Sequence, residues 1–275
     1  MTQLKDTVVI GYSRGLLCLH AFDKGGMLVL WNPSVKRSVG ILPVGQLSVF
    51  GFAVCPVTNE PTIVGISFPW KVQIFTLSSK KWSEIQCRKP RESFAPLMLP
   101  QVVIGSCIFR LAHEKTVLPN GHVTLQLMIV SFDLVAQQFS VIDLPDHITN
   151  PSTRLTLSKL NGSLVVIVPH SEVKVWKMEP DSSFTLLFTV ASTPASSITS
   201  IVGFRKNGQL VFKIKTGMES RKNGLCLIIT IPAIVKSMIM LLKFMIRAHA
   251  ASMILGFLDK MVHSSSALSR KHFIC

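Results

Sequence analysis

Near the start of the chain stands a pentapeptide of the form Gly-x-Ser-x-Gly, Gly11-Tyr12-Ser13-Arg14-Gly15, directly after the apolar run Val8-Val9-Ile10. In α/β-hydrolases that pattern is a strand-to-helix elbow that exposes a serine nucleophile; it needs several strands before it, a helix after it and a later Asp and His. Here ten residues precede Gly11, Leu16 to Leu19 open another strand signal, and no Asp-then-His pair follows in recognisable context. The pentapeptide therefore reads as a glycine-bounded turn. The eight histidines (His20, His113, His122, His147, His170, His249, His263 and His272) never fall at zinc spacing with a cysteine or carboxylate. His113 and His122 bracket a loop and are expected to be solvated. No P-loop or dinucleotide-binding glycine pattern occurs, and the carboxylates form no acid and base pair that periodicity would bring together. The expectation is a protein without enzymatic activity, cofactor or metal.

Six cysteines, at 18, 55, 87, 107, 226 and 275, form no Cys-x-x-Cys pair, and Met1 to Thr7 lacks the apolar core of a secretory signal. They read as reduced thiols in the cytoplasm or nucleus. Cys275 is the last residue, whereas prenylation needs three residues after the cysteine. Basic clusters at Lys36-Arg37, Lys80-Lys81 and Arg88-Lys89-Pro90-Arg91 raise a phosphate-binding face. Two of them fall in polar turns, where solvated Lys is ordinary, and none has interleaved aromatics for base stacking. Nucleic acid is not an expected partner.

The elements that would position these residues are short and repeated. Leu28-Val29-Leu30-Trp31, Val72-Gln73-Ile74-Phe75, Ile129-Val130-Ser131-Phe132 and Val173-Lys174-Val175-Trp176 are strand-like runs, each ending on an aromatic. The four aromatics are spaced by 44, 57 and 44 residues, the long interval holding a loop-like stretch from Gln86 to Gln101 and a polar one from Glu114 to His122. Seven or eight residues after each aromatic the chain returns, at Val39, Trp82, Phe139 and Phe184, across a polar turn. That is a hairpin repeated four times. A second repeat carries Asn161-Gly162 and, 46 residues later, Asn207-Gly208 between apolar alternations; Asn-Gly supplies the two positive φ angles of a type I′ turn. Units of about 44 residues made of four short strands are the sequence form of a propeller blade, because one small sheet buries both faces only when neighbours stack on it. The repeated aromatics are then core between blades.

The chain has 275 residues, with 29 Lys and Arg against 14 Asp and Glu, a formal charge of +15, and 48% hydrophobic residues. That excludes disorder over most of its length. Residues 220–275 hold eight basic residues and one acid, so much of the basicity belongs to a tail. From Leu225 onward the alternation and polar turns vanish, five Met occur and the end is Ser-rich and basic. Leu225 to Ile246 is long and apolar enough to raise a membrane anchor. Pro232, Lys236 and Lys243 oppose that reading, since an ammonium near mid-bilayer costs about 2.5–3.5 kcal/mol on insertion scales.

Several motifs, in one order, resemble the F-box-associated interaction domain of plant F-box proteins. Gly15-Leu16-Leu17-Cys18-Leu19, then Leu30-Trp31-Asn32-Pro33-Ser34 and Leu42-Pro43, are similar to its opening; Val49 to Pro56 resembles its next strand, and Val72 to Ile85 the hairpin that follows. Ile129 to Pro145, Leu160 to Val168, Val175 to Met178 and Phe184 to Val190 match in turn, covering residues 8 to 224. The resemblance implies an all-β, kelch-like β-propeller that is incomplete, and a non-catalytic role holding an unknown target protein for an SCF-type E3 ubiquitin ligase. The Gly25-Gly26 pair is also similar to the paired glycines of kelch repeats, and reads equally well as a turn. Nothing before residue 8 matches an F-box, so a Skp-type adaptor and cullin are expected as partners only if an F-box is supplied. The domain boundaries expected are 1–224 for the propeller and 225–275 for a divergent, apolar and basic segment, helical in outline. Our hypothesis for it is translation out of frame, because with permissible codons an alternative phase of Val262 to Cys275 yields the family's ending; the coding DNA decides. Two other readings follow from that tail: a truncated F-box-family product without ligase activity, and a β-domain attached to a membrane through residues 225–246.

A propeller binds through loops at one mouth, because the strands supply scaffold and the loops supply variety. The loops expected to do so lie around Phe68-Pro69-Trp70, Arg88 to Phe94 and Glu114 to His122. Trp70 leads, as an aromatic beside Pro in a turn, with Arg88, Arg91 and Phe94 as further partner-binding residues.

Overall fold

A computed structural model describes residues 7–21, 26–45, 47–67, 70–97, 100–118, 120–149, 155–169, 172–191, 196–204 and 210–216. Phe68, Pro69, Gly25, the Asn207-Gly208 turn, the boundary at 224 and the whole segment 225–275, with its frame, helix and membrane hypotheses, lie outside the described residues. Within them every regular element is a strand.

Alternating apolar and polar residues, broken by turn residues, give meandering sheets. The first sheet runs β1 (Thr7–Ser13), β2 (Leu16–Ala21), β3 (Met27–Asn32), β4 (Arg37–Ile41), and the second β5 (Leu47–Val54), β6 (Pro61–Ser67), β7 (Lys71–Thr76), β8 (Lys81–Ile85). The third has β9 (Phe94–Pro96), β10 (Val102–Ile104), β11 (Cys107–Val117), β12 (Val123–Asp133) and β13 (Gln138–Asp143). Its path is β10-β11-β12-β13, with β9 prolonging the β10 edge of β11. The fourth is β14 (Thr156–Leu160), β15 (Ser163–Pro169), β16 (Glu172–Met178), β17 (Phe184–Ala191), and a two-stranded sheet pairs β18 (Ser196–Phe204) with β19 (Leu210–Thr216). All pairings are antiparallel.

The turns are the expected ones. Arg14-Gly15 (φ 45° and 81°) joins β1 to β2 and Asn161-Gly162 (φ 48° and 83°) joins β14 to β15, both in the doubly left-handed form that matches strand twist. The hairpins after β3, β7 and β12 share one four-residue turn whose last member, Lys36, Lys80 or Gln137, is left-handed (φ 53° to 55°).

Three apolar clusters lie between consecutive sheets. Ile10, Cys18, Leu28, Leu30 and Ile41 of the first sheet meet Phe52, Val54, Ile63 and Phe75 of the second. Phe50, Val64 and Val72 of the second meet Ile108, Met128, Val130 and Phe132 of the third. Phe109, Leu111 and Ile129 of the third meet Leu157, Leu164 and Val166 of the fourth. Each of the first three sheets is therefore covered by the next, as a propeller requires. The first strands run side by side toward one axis, β1 against β5, β10 against β14 and β14 against β18.

The repeated aromatics obey one rule. Phe75 packs on the first sheet, Phe132 on the second and Trp176 on the third, so each faces the sheet before it. Trp31 holds the same place in β3, but no described sheet precedes its own, and it is 38% exposed; Val9 and Tyr12 are more exposed still. The reading of all four as core between blades is corrected there for Trp31. A second correction concerns Glu114 to His122: residues up to Val117 belong to β11, which pairs with β12 along eleven residues, and the loop shrinks to residues 118–122.

Candidate functional site

Because each sheet is a meander, its turns alternate between two mouths. The β1–β2 and β3–β4 turns and their equivalents share one mouth, here the turn side; the β2–β3 connections and the links from one sheet to the next share the other, the linker side. Trp70 before β7, the 86–93 stretch after β8 and the tip of the β11–β12 hairpin all fall on the linker side. The loops singled out in the sequence thus do gather at one mouth.

Trp70 donates its indole N–H to the Cys87 carbonyl at 3.0 Å and stands edge-on to Phe94, with ring centres 6.1 Å apart. Phe139 lies 5.7 Å from Trp70 and 6.3 Å from Phe94, and leads inward to Phe132 at 4.8 Å and Phe50 at 5.0 Å. Beside this column the Arg91 guanidinium holds Glu114 of β11 at 2.7 Å and grips both carboxylate oxygens of Asp143 at 2.6 and 2.8 Å. The Glu114 hydrogen bond foremost, outweighing burial, raises the Arg91 pKa further. Lys89 bonds the Glu92 carbonyl within the same loop. Trp70, Arg91 and Phe94 are therefore brought together and half-buried, while Arg88, on the same stretch, is exposed. Trp70 and Phe94 pack against the cluster between the second and third sheets, so they brace the linker as well as face the mouth. Beyond them Val117, Leu118, Val123 and Leu125 are exposed near the end of the β11–β12 hairpin. Sequence reasoning passed these over by reading Glu114 to His122 as loop; the alternation of Lys115 with Val117 and of Val123 with Leu125 was the available signal.

The turn side, with the first strands that lead to it, is built otherwise. Ser13, the middle of the Gly-x-Ser-x-Gly pentapeptide, is buried and its Oγ accepts the Val54 N–H of β5 at 3.0 Å. It ties the first sheet to the second, and Arg14-Gly15 is the turn. Gln101, just before β10, accepts the Phe52 N–H at 2.8 Å and donates to the Phe52 carbonyl, tying the third sheet to the second. Its side chain lies over Gly11 and Gly51; a Cβ at Gly51 would sit 2.7 Å from Gln101 Oε1 and from Ile108 Cγ2, which explains the glycine. Arg110 of β11, 3% exposed, donates to the carbonyls of Leu97 at 3.3 Å and Ile10 at 3.4 Å. Burial lowers its pKa to about 10, so it stays charged at neutral pH, and burial pushes the Cys18 thiol up to about 12. In the sequence Ser13 stood out only as the centre of a turn pentapeptide, and Gln101 and Arg110 were not singled out. Among the first strands opens an axial cavity of about 910 Å³, its wall shared by Ser13 and Arg14, Val54, Gln101, Lys159 and Asn161, and Phe204, which come from all five sheets. Among the described residues no three His, Cys, Asp or Glu converge as metal ligands.

Sheets stacked face to face around a lined axis, with loops gathered at its mouths, make this an all-β propeller. The chain belongs to the F-box-associated family: the description "F-box associated beta propeller domain" matches residues 2–217. It is 24% identical over 219 residues to the F-box protein CPR1 of Arabidopsis thaliana, an alignment taking in 67% of this chain and 52% of that one. The chain thus spans about half the length of that relative. Solved structures similar to it include YjhT (11% identity, TM-score 0.44, 74% of this chain and 70% of the other). The β-propeller domain of Cps50 (Swd1) from Myceliophteria thermophila is a further one (12%, 0.38, 76% and 82%), as is the N-terminal domain of Nup159 (13%, 0.40, 77% and 63%).

Proposed function

We propose that this propeller is the target-holding part of an SCF-type ubiquitin ligase receptor and performs no chemistry of its own. Membership of the F-box-associated family over residues 2–217 carries the reading, and the likeness to an F-box protein of Arabidopsis thaliana supports it. The linker side is the face offered to the target. Trp70, Phe94 and Arg91 fix a rigid platform, Arg88 supplies an exposed charge, and the apolar hairpin residues Val123 and Leu125 supply contact area around it. That is the anatomy of a protein interface, an aromatic and apolar centre with a charged rim. Adaptor and cullin join through an F-box, not through the sheets, and the complex works in the cytoplasm or nucleus.

The test is recovery from plant extract of proteins bound to the chain as it stands and to the chain joined to an F-box. Adaptor and cullin are expected with the joined form alone, and a common set of targets with both. Arg88→Glu with Leu125→Asp, at exposed positions, should remove the targets and keep the adaptor. Adaptor capture by the unjoined chain would contradict the assignment, as would targets indifferent to the double substitution.

A further inference from the structure

We infer that the turn-side mouth is a second binding site and that it takes an acidic segment of a protein. The inference rests on the protein-recognition reading only in taking the ligand to be a polypeptide. The axial cavity, about 910 Å³, is within the roughly 300–1,000 Å³ typical of ligand sites. Its described lining holds two cations, Arg14 and Lys159, and no carboxylate. Each cation is steadied by a neutral acceptor: Arg14 by the Asn59 side-chain oxygen, Lys159 by the Val103 carbonyl at 3.4 Å. Neither forms an ion pair among the described residues, so both charges are oriented and left for a ligand. Arg110 adds a third positive charge in the first-strand layer, through its bond to the carbonyl of Ile10, the neighbour of Gly11. Val54, Val102, Leu157 and Phe204 supply apolar wall, which keeps the field of these charges from being dispersed by solvent. Ser13, whose oxygen accepts from Val54, has a proton to donate, and Asn161 has an amide.

A polypeptide fits this lining better than a compact anion does. Arg14 belongs to the turn after β1 and Lys159 to β14, in the first and fourth sheets, with apolar residues and Phe204 also in the wall. A strand with carboxylates along its length and apolar groups between them satisfies both cations and the wall together. A small phosphate uses the charges and leaves the apolar wall wet.

Fluorescence anisotropy of fluorescein-labelled hexaglutamate titrated with the full chain reads the site directly. Arg14→Asn with Lys159→Gln is the variant of choice, because Asn-Gly keeps the left-handed turn at 14 and 15 while both charges go. Binding is expected to weaken about tenfold in the double variant, to survive in the charge-keeping pair Arg14→Lys with Lys159→Arg, and to be unchanged by Arg88→Gln at the other mouth. An equal loss with Arg88→Gln would reduce the effect to the diffuse attraction of a chain of charge +15, and absence of binding would overturn the site. Displacement by pyrophosphate as effective as by unlabelled hexaglutamate would overturn the polypeptide assignment. Target recovery through the Arg88 face is a separate measurement, so failure of either reading leaves a distinct mark.

Discussion

The two mouths of one propeller are held by opposite means. On the linker side, side chains hold side chains: Trp70, Phe94 and Phe139 interlock, and Arg91 clamps Glu114 and Asp143 across 23 and 52 residues of sequence. On the turn side and along the first strands that lead to it, side chains hold backbone: Ser13 takes the Val54 amide, Gln101 both polar groups of Phe52, Arg110 two carbonyls, and the β1–β2 and β14–β15 turns close in two residues. The first arrangement can be rebuilt with other side chains as long as packing volume is kept. The second depends on strand spacing, which is fixed by the sheets, so it gives a mouth of set shape. A face that must change target belongs on the former, and a constant contact on the latter.

The sharpest way to break this contrast is at Phe139, the hub of the aromatic column. Phe139→Ala should cost about 3–4 kcal/mol in urea unfolding, and should leave hydrogen-exchange protection in the first sheet unchanged while loosening residues 86–97. Gln101→Leu tests the other mouth: with the Phe52 N–H and carbonyl left unpaired we expect a loss of about 2–3 kcal/mol. If Phe52 exchange protection stayed intact in that variant, Gln101 would not be a tie between sheets.

Asp133, at the end of β12, sharpens the same point with pH. Burial pulls its pKa up, but the Val135 and Ala136 amides, at 2.7 and 3.2 Å, with Ser106 and Cys107, outweigh it and hold the carboxyl below its ordinary value. A depressed folded-state pKa contributes stability above the unfolded carboxylate pKa, and that contribution disappears as pH falls through the folded value. Asp133→Asn should therefore cost about 1 kcal/mol at neutral pH and flatten the loss of stability in acid. The smallest effect belongs to Arg91→Met: its pairs are partly exposed and screened, so stability should fall by about 0.5–1 kcal/mol, with the difference shrinking in high salt.

What the sequence disclosed was whatever repeats or obeys a local rule. The hairpins were legible because Trp31, Phe75, Phe132 and Trp176 mark them, and Asn161-Gly162 because its turn type needs those residues. Trp31 misled because its pattern equals that of Phe75, and only the arrangement of sheets shows that nothing described stands before it. The strand over Glu114 to Val117 was hidden by Lys115 and Thr116, polar neighbours that are both exposed. Ser13, Gln101 and Arg110 were illegible for a deeper reason: each acts alone, on backbone atoms 41, 49 and 100 residues away, and no local pattern encodes such a partner.

Within each sheet consecutive strands pair with one another, except that β9 skips β10 to reach β11. As the polypeptide leaves the ribosome, each meander closes its own backbone ladder within about fifty residues or fewer, quickly and without waiting for distant chain. Its apolar faces, by contrast, stay wet until the following meander has been synthesised. Slow codons or chaperone engagement would thus matter most in the intervals between sheets, such as residues 86–93, and least inside them.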